Sequence, residues 1–258
     1  MEKLKTYIDL RAEAVNWLAK YLVQTGKSGF VVGLSGGIDS ATMALMAQEA
    51  ARKTGGKVLA LLLPISSRGP DYYDTAYAMK IVKQFKLRHK VLSLGKCFNL
   101  LVSLLKLKTD KTVTYTNLKS RLRTAVLYFY ANVLDYSVLG TVNKGELNIG
   151  YFPKNASAGD ILPIAGLLKK EIRGIAKTYG LPEEIVNRKA SGCIWADTAE
   201  EEWGFTEDQL DAMIEASEAK RPLRKIVGAD IASRFRKLRA DSVHKRVFYP
   251  IFHKGAGK

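Results

Sequence analysis

Two short stretches of this chain carry residue types that can do phosphate chemistry. The first is Phe30-Val-Val-Gly-Leu-Ser-Gly-Gly-Ile-Asp-Ser40. Phe30, Val31 and Val32 form the kind of apolar run that makes a buried strand. Ser35-Gly36-Gly37 reads as a turn, where glycine lets the backbone bend sharply and come close to a ligand. Asp39 and Ser40 then open an Ala-, Leu- and Met-rich segment that reads as a helix to residue 53. Strand, turn and helix N-terminus together offer an anion free N–H groups and a favourable dipole. The structural alternative is a tight turn with no ligand. The second stretch is Gly140-Thr-Val-Asn-Lys-Gly-Glu146, which follows the apolar run Ser137–Gly140. Two polar turns at strand carboxyl ends are what a switch-point site requires. Asp39 and Glu146 would then face one crevice. Two carboxylates beside phosphates suit Mg2+, which takes few protein ligands and leaves the rest to water and phosphate.

The first stretch lacks the Gly-Lys-Ser/Thr ending of a Walker loop and is not Gly-x-Gly-x-x-Gly. Ser35-Gly-Gly-Ile-Asp-Ser40 instead resembles the signature of the pyrophosphate-loop ATPases. That resemblance implies ATP cleaved between its α- and β-phosphates, leaving AMP. It does not name the acceptor.

The elements that must hold these turns follow from periodicity. Leu4, Ile8, Val15, Leu18 and Leu22 mark an amphipathic helix over 3–25, ended by Gly26. Strands are expected at 57–63, 89–94 and 137–140. Helices are expected at 71–86, 96–110, about 117–134, 206–220 and 228–243. Thr206 is a natural N-cap with Glu207 and Asp208 in the first turn. The loop Pro64–Asp71 lies after a parallel strand, where α/β ligands bind, and in the ATPase superfamily this strand end holds adenine through backbone groups. Arg121 and Arg123 lie two apart on one helix, so they point in different directions and one can reach a site while the other serves the surface. The expected fold is α/β and Rossmann-like. It has three αβα layers, a mostly parallel sheet of about five strands, and extra C-terminal helices.

Composition narrows the classes. The chain has 258 residues, 47% of them hydrophobic, enough for an ordinary core. The formal charge of +16 fits nucleic acid, an anionic surface or polyanionic small molecules alike. Cys97 and Cys193 are far apart, which argues against a disulfide framework or a zinc site and for a reducing, cytoplasmic compartment. No signal-like block opens the chain, and no apolar run approaches the roughly 18 residues of a membrane span. His89 follows basic residues and reads as a surface group.

Further motifs sharpen the resemblance. They are Asn117-Leu-Lys-Ser-Arg-Leu-Arg123, Leu139-Gly-Thr-Val-Asn-Lys-Gly-Glu146, Gly150-Tyr-Phe-Pro-Lys154, Asp160-Ile-Leu-Pro-Ile164 and Leu167-Leu-Lys-Lys-Glu-Ile-Arg173. Leu181-Pro-Glu-Glu-Ile-Val186, Ser191, Glu200-Glu-Glu-Trp-Gly204 and His244-Lys-Arg246 follow. In this order they resemble the ammonia-dependent NAD synthetases over nearly the whole chain. The resemblance implies ATP on Gly33, Leu34, Ser35, Gly36, Gly37, Ile38, Asp39 and Ser40, and also on Thr141, Lys169 and Ser191. It implies Mg2+ on Asp39 and Glu146, and deamido-NAD on Arg121, Lys154, Asp160, His244 and Lys245. Lys169 is the expected charge stabiliser, and Asp160 a candidate proton acceptor or ammonium binder. A homodimer is implied, with dinucleotide sites across the interface and the helix 117–134 as part of it. The domain is expected to be single, with an ATP-binding core over about 27–190, a helical extension over about 205–245 and no glutaminase domain. Free ammonia is therefore the expected nitrogen source, and neither membrane nor nucleic acid is an expected partner. The chain departs from the family at Ala199, where Asp is usual, and at Val142 and Gly145 in the second turn. The rival readings are a tRNA-modifying pyrophosphate-loop ATPase, which the basic charge favours, and a nucleotide-binding sensor without catalysis.

Overall fold

The computed structural model describes residues 2–66, 70–107, 109–156, 159–191 and 198–247. Its sheet has four parallel strands: β1 (Gly29–Gly33), β2 (Lys57–Leu62), β3 (His89–Val91) and β4 (Tyr136–Leu139). Their order is β3-β2-β1-β4, so the order in which strands are laid down reverses beside β1. A fifth strand was expected. Among the described residues no fifth strand forms; a parallel bridge, Leu139 with Ile161, extends the sheet past β4. Pro163 lies two residues on and has no N–H with which to continue a ladder.

Helices cover both faces because the strand side chains alternate. α1 (Glu2–Thr25), α2 (Ile38–Thr54), α3 (Pro70–Phe85) and α7 (Lys169–Thr178) share a core with Phe30, Val32, Ala60 and Leu62. On the other face Val31, Leu59, Leu61 and Val138 pack against α4 (Gly95–Leu105) and α5 (Thr112–Leu134). Helix α5 starts five residues before its expected start at 117. The stretch Thr112-Val-Thr-Tyr-Thr116, β-branched at four positions and aromatic at one, argues weakly for helix on its own, and the surrounding fold overrides that preference. Strand β3 is shorter than the expected 89–94, because the chain bends toward Gly95, although Leu92 and Leu94 still bond to Leu62 and Pro64.

After β4, α6 (Lys144–Ile149) opens with Asn143 and Glu146 in a reciprocal capping box. Past α7 come α8 (Glu183–Val186), α9 (Ala199–Trp203), α10 (Glu207–Glu218), α11 (Arg224–Val227), α12 (Ala229–Asp241) and α13 (Val243–Arg246). Trp203, Phe205, Leu210, Met213, Ile214 and Phe235 give these helices a core of their own, which Ile149 and Leu168 join to α6 and α7. Ala199 is fully buried in it. An Asp there would put a carboxylate among apolar side chains, so alanine suits this packing. Among the described residues no helix is long and apolar enough to cross a membrane. Cys193 and residues 67–69 of the second-strand loop lie outside the described residues.

Candidate active site

A cleft of about 770 Å3 opens at the carboxyl ends of β1, β2 and β4. Its floor is the turn after β1. Gly36 has φ +85°, and a Cβ there would meet the Asp74 carbonyl oxygen at 2.2 Å, so only glycine lets this turn pass beneath α3. The Ser40 hydroxyl ties the turn together: it donates to the Gly37 carbonyl (3.0 Å), accepts from the Ser35 N–H (3.2 Å) and lies 3.0 Å from the Ser35 hydroxyl. Gly37 caps α2 with no side-chain acceptor. The first N–H groups of α2 therefore remain available to an anion.

Acids and one buried lysine cluster beside this turn. Asp39 and Glu146 meet through Asn143. The Asn143 side-chain amide donates to Asp39 (3.2 Å), and its backbone N–H donates to Glu146 (3.0 Å). Burial first, then the Asp39 carboxylate, push Glu146 up to about 8, against Lys169 and the Asn143 N–H. Lys169 lies behind Asp39, with Nζ 2.7 Å from Asp39 Oδ2 and 3.0 Å from Glu207 Oε1. Burial alone would lower its pKa. Asp39, Glu207 and Glu146 outweigh burial and hold it above the ordinary lysine value. The donor set fits Mg2+, because Asp39 and Glu146 are neighbours and the single Lys169 ammonium, which Glu207 shares, does not neutralise both. No group of three or more acidic, histidine or cysteine side chains gathers as a metal site among the described residues. Mg2+ in phosphate sites does not require one.

Most expected ATP residues meet here. Gly33, Leu34, Ser35, Gly37, Asp39, Ser40, Thr141, Glu146 and Ser191 line the cleft. Ile38 belongs to the same turn but buries its side chain in the core. Ser191 pairs with Thr198 in an antiparallel bridge. Leu63, Pro64 and Ser66 line the adjacent wall, as expected of the second-strand loop.

The expected dinucleotide residues divide. Lys245 lines the cleft and donates to the carbonyls of Gly150 (2.6 Å) and Phe152 (2.7 Å); burial lowers its pKa. Arg121 and His244 are exposed and, with Lys154 and Asp160, do not line this cleft. Arg121 donates to the Lys154 carbonyl (3.2 Å). The Asp160 carboxylate accepts from the Val138 N–H (2.8 Å) and the Tyr128 hydroxyl (3.0 Å), so it braces the edge of β4.

Three further residues at or behind the cleft carry no local signal of that placement in the sequence. Of the arginine pair, Arg123 lines the cleft and donates from Nε to the Leu63 carbonyl (3.0 Å). Arg188 pairs with Asp74 and lies over the Tyr77 ring, its guanidinium carbon 4.6 Å from the centroid. Glu207 was legible only as a first-turn acid. The structure buries it against Lys169 and Arg173.

Comparison with known proteins follows the same outline. The model of a family described as NAD synthase matches residues 10–248. An NH(3)-dependent NAD(+) synthetase of Carboxydothermus hydrogenoformans is 35% identical, covering 90% of this chain and 92% of its own. Among solved structures, an NMN synthetase from Francisella tularensis superposes with TM-score 0.82 at 31% identity, covering 96% of this chain and 99% of its own. An NH3-dependent NAD synthetase from Campylobacter jejuni gives TM-score 0.79 at 24% identity over 96% and 99%, a likeness of fold.

Proposed function

We infer the working of the cleft from one premise: this chain belongs to the NAD synthase family. It is a ligase that amidates deamido-NAD to NAD with ATP and free ammonia, the last step of NAD biosynthesis. The observation that carries the residue-level reading is the meeting of Asp39, Glu146 and Lys169 beside the turn that opens α2.

The turn Gly33–Ser40 receives the ATP phosphates on its free N–H groups, and Thr141 and Ser191 hold the nucleotide from the other walls. Asp39 and Glu146 would hold Mg2+, which supplies positive charge to the phosphates. Lys169 adds a fixed ammonium on the same side. These groups let a second anion approach, and charge neutralisation is the main demand on the site. The nicotinate carboxylate attacks the α-phosphate, the bond to the β-phosphate breaks, and pyrophosphate leaves. Ammonia then attacks the carbonyl of the acyl adenylate, the C–O bond breaks, and AMP leaves as the nitrogen gives up a proton. Lys245, Arg121, Lys154, Asp160 and His244 are the residues we assign to the dinucleotide. The helices from about 205 to 245 belong to the same functional unit, since α10 reaches Lys169. An exposed free thiol at Cys97 accords with a cytoplasmic setting.

Incubation with ATP, Mg2+, ammonium and deamido-NAD is expected to yield NAD, AMP and pyrophosphate, with glutamine unable to replace ammonium. Equal rates with glutamine would sink the ammonia assignment. AMP formed only when tRNA is added would support the tRNA reading instead. One observation favours a second acceptor, because the Francisella tularensis neighbour is an NMN synthetase. Nicotinic acid mononucleotide assayed beside deamido-NAD decides between them, and the acceptor is the one with the higher kcat/KM.

The assembly is a homodimer through α4 and α5. Helix α5 has apolar residues on several sides but buries only Ala131 fully, and α4 buries none. Leu100, Leu104, Leu105, Phe129 and Val133 are all more than half exposed. Apolar surface of this kind calls for a cover. Arg121 and Lys154 lie on this side, outside the cleft of one chain, so a second copy can complete their site. Sedimentation is expected to show a dimer that Phe129→Glu weakens. A monomer at micromolar concentration for the unaltered chain would refute this.

A further inference from the structure

Lys169 is held from two directions by one helix. α10 supplies Glu207, whose Oε1 lies 3.0 Å from Lys169 Nζ, and Asp211, whose oxygens accept the backbone N–H groups of Lys169 (3.1 Å) and Lys170 (2.9 Å). Both acids are buried. Glu207 is itself fixed. Its other oxygen pairs with Arg173, one turn along α7 from Lys169, and its N–H donates to Glu200 (2.9 Å), which is bound to Lys189 (3.0 Å) on the cleft wall. A free lysine side chain has large rotamer freedom, and fixing it beforehand removes that cost from the reaction.

We propose that Glu207 is a positioning residue that keeps the Lys169 ammonium beside the phosphate site while leaving Asp39 available to a divalent cation. The proposal rests on the reading of Asp39 and Glu146 given above. Lys169 has two carboxylate partners, and only one of them, Asp39, belongs to the turn that takes phosphate. When Asp39 turns to a metal, Glu207 is the partner that stays. Without the Glu207 charge, Lys169 leans on Asp39 alone, and that ion pair competes with the cation for the same carboxylate. Glu207 also joins the C-terminal helices to the chemistry through one buried contact.

The test uses the full-length protein and calorimetric binding of α,β-methylene ATP across a Mg2+ titration, which needs no turnover. Glu207→Gln keeps size and removes charge. It is expected to raise the Mg2+ concentration for half-maximal nucleotide binding by about tenfold, the scale of one lost charge contact. The KM for the nicotinate substrate should change much less than kcat. If Glu207 only supports the fold, the melting temperature falls and the Mg2+ midpoint stays where it was, and the proposal is overturned. Should the Gln variant not fold, Glu207→Asp retains the charge one methylene further back. Its midpoint should rise by about threefold, and an unchanged midpoint overturns the proposal equally. A protein that binds nucleotide with the expected Mg2+ shift but forms no NAD would contradict the assigned reaction and leave the role of Glu207 standing.

Discussion

Lys169→Met should cost the protein its activity and, without nucleotide, much of its stability. The ammonium is buried and touches Asp39 and Glu207, with Glu146 close enough to influence it. Removing one partner of a buried ion pair leaves the other uncompensated and typically costs about 3–5 kcal/mol. Here the lower end is expected, because Asp39 borders the open cleft and Glu146 already resists ionisation. Arg173 also still pairs with Glu207. If Lys169 stabilises the departing pyrophosphate as proposed, the loss of this fixed charge behind Asp39 should lower kcat by about 10^2–10^3-fold, the usual effect of deleting one preorganised donor. Mg2+ with ATP should restore part of the lost melting temperature if, as proposed, it returns positive charge to the same carboxylates. A variant that melts like its parent and keeps kcat within about threefold would make Lys169 a bystander.

What the sequence revealed of this site follows a physical division. Asp39, Ser35–Ser40 and Glu146 were legible because each sits in a strand–turn–helix unit whose local geometry aims the residue. The buried strands were legible for the same reason, since their side chains alternate between two covered faces. Glu207 shows the other case. At the start of an amphipathic helix an acid ordinarily faces solvent and complements the helix dipole, and the neighbouring Asp208 does so. Only the docking of α10 on the first turn of α7 turns Glu207 inward, and no local pattern encodes that contact. The arginine pair makes the same point. Spacing showed that Arg121 and Arg123 diverge, but the carbonyl of Leu63 at the end of β2 decides that Arg123 faces the cleft. Asp160 was weighed as a proton acceptor from its motif. Its bonds to Val138 and Tyr128 became visible only once β4 was in place. Among the described residues the expected fifth strand is reduced to isolated bridging after β4, for a reason the sequence did contain, Pro163.

Glu146→Gln should move stability and activity in opposite directions. The carboxyl, ordinarily near 4.5, is pushed up to about 8, mainly by burial and then by Asp39. Between those values the folded protein holds a proton that the unfolded chain has released. The contribution of Glu146 to stability is therefore full at low pH, declines as pH rises, and is lost above about pH 8. Glutamine resembles the protonated acid, can still accept the Asn143 N–H in the capping box, and has no proton to lose. Metal-free Glu146→Gln should thus melt close to its parent at about pH 5 and above it at about pH 8.5. Mg2+ with ATP works the other way. A cation favours the ionised acid, so it should stabilise the parent more at about pH 8.5 than at about pH 6.5 and do little for the variant at either. If Asp39 and Glu146 hold the metal as proposed, the variant leaves Asp39 alone to do so, and kcat should fall by about 10^2-fold. A Gln variant that melts below its parent at high pH, or gains as much from Mg2+ as the parent does, would show that Glu146 serves only to cap α6. The expected outcome means that part of the site's affinity for a cation is stored in the fold, as a half-buried acid that ionises at a cost the metal offsets.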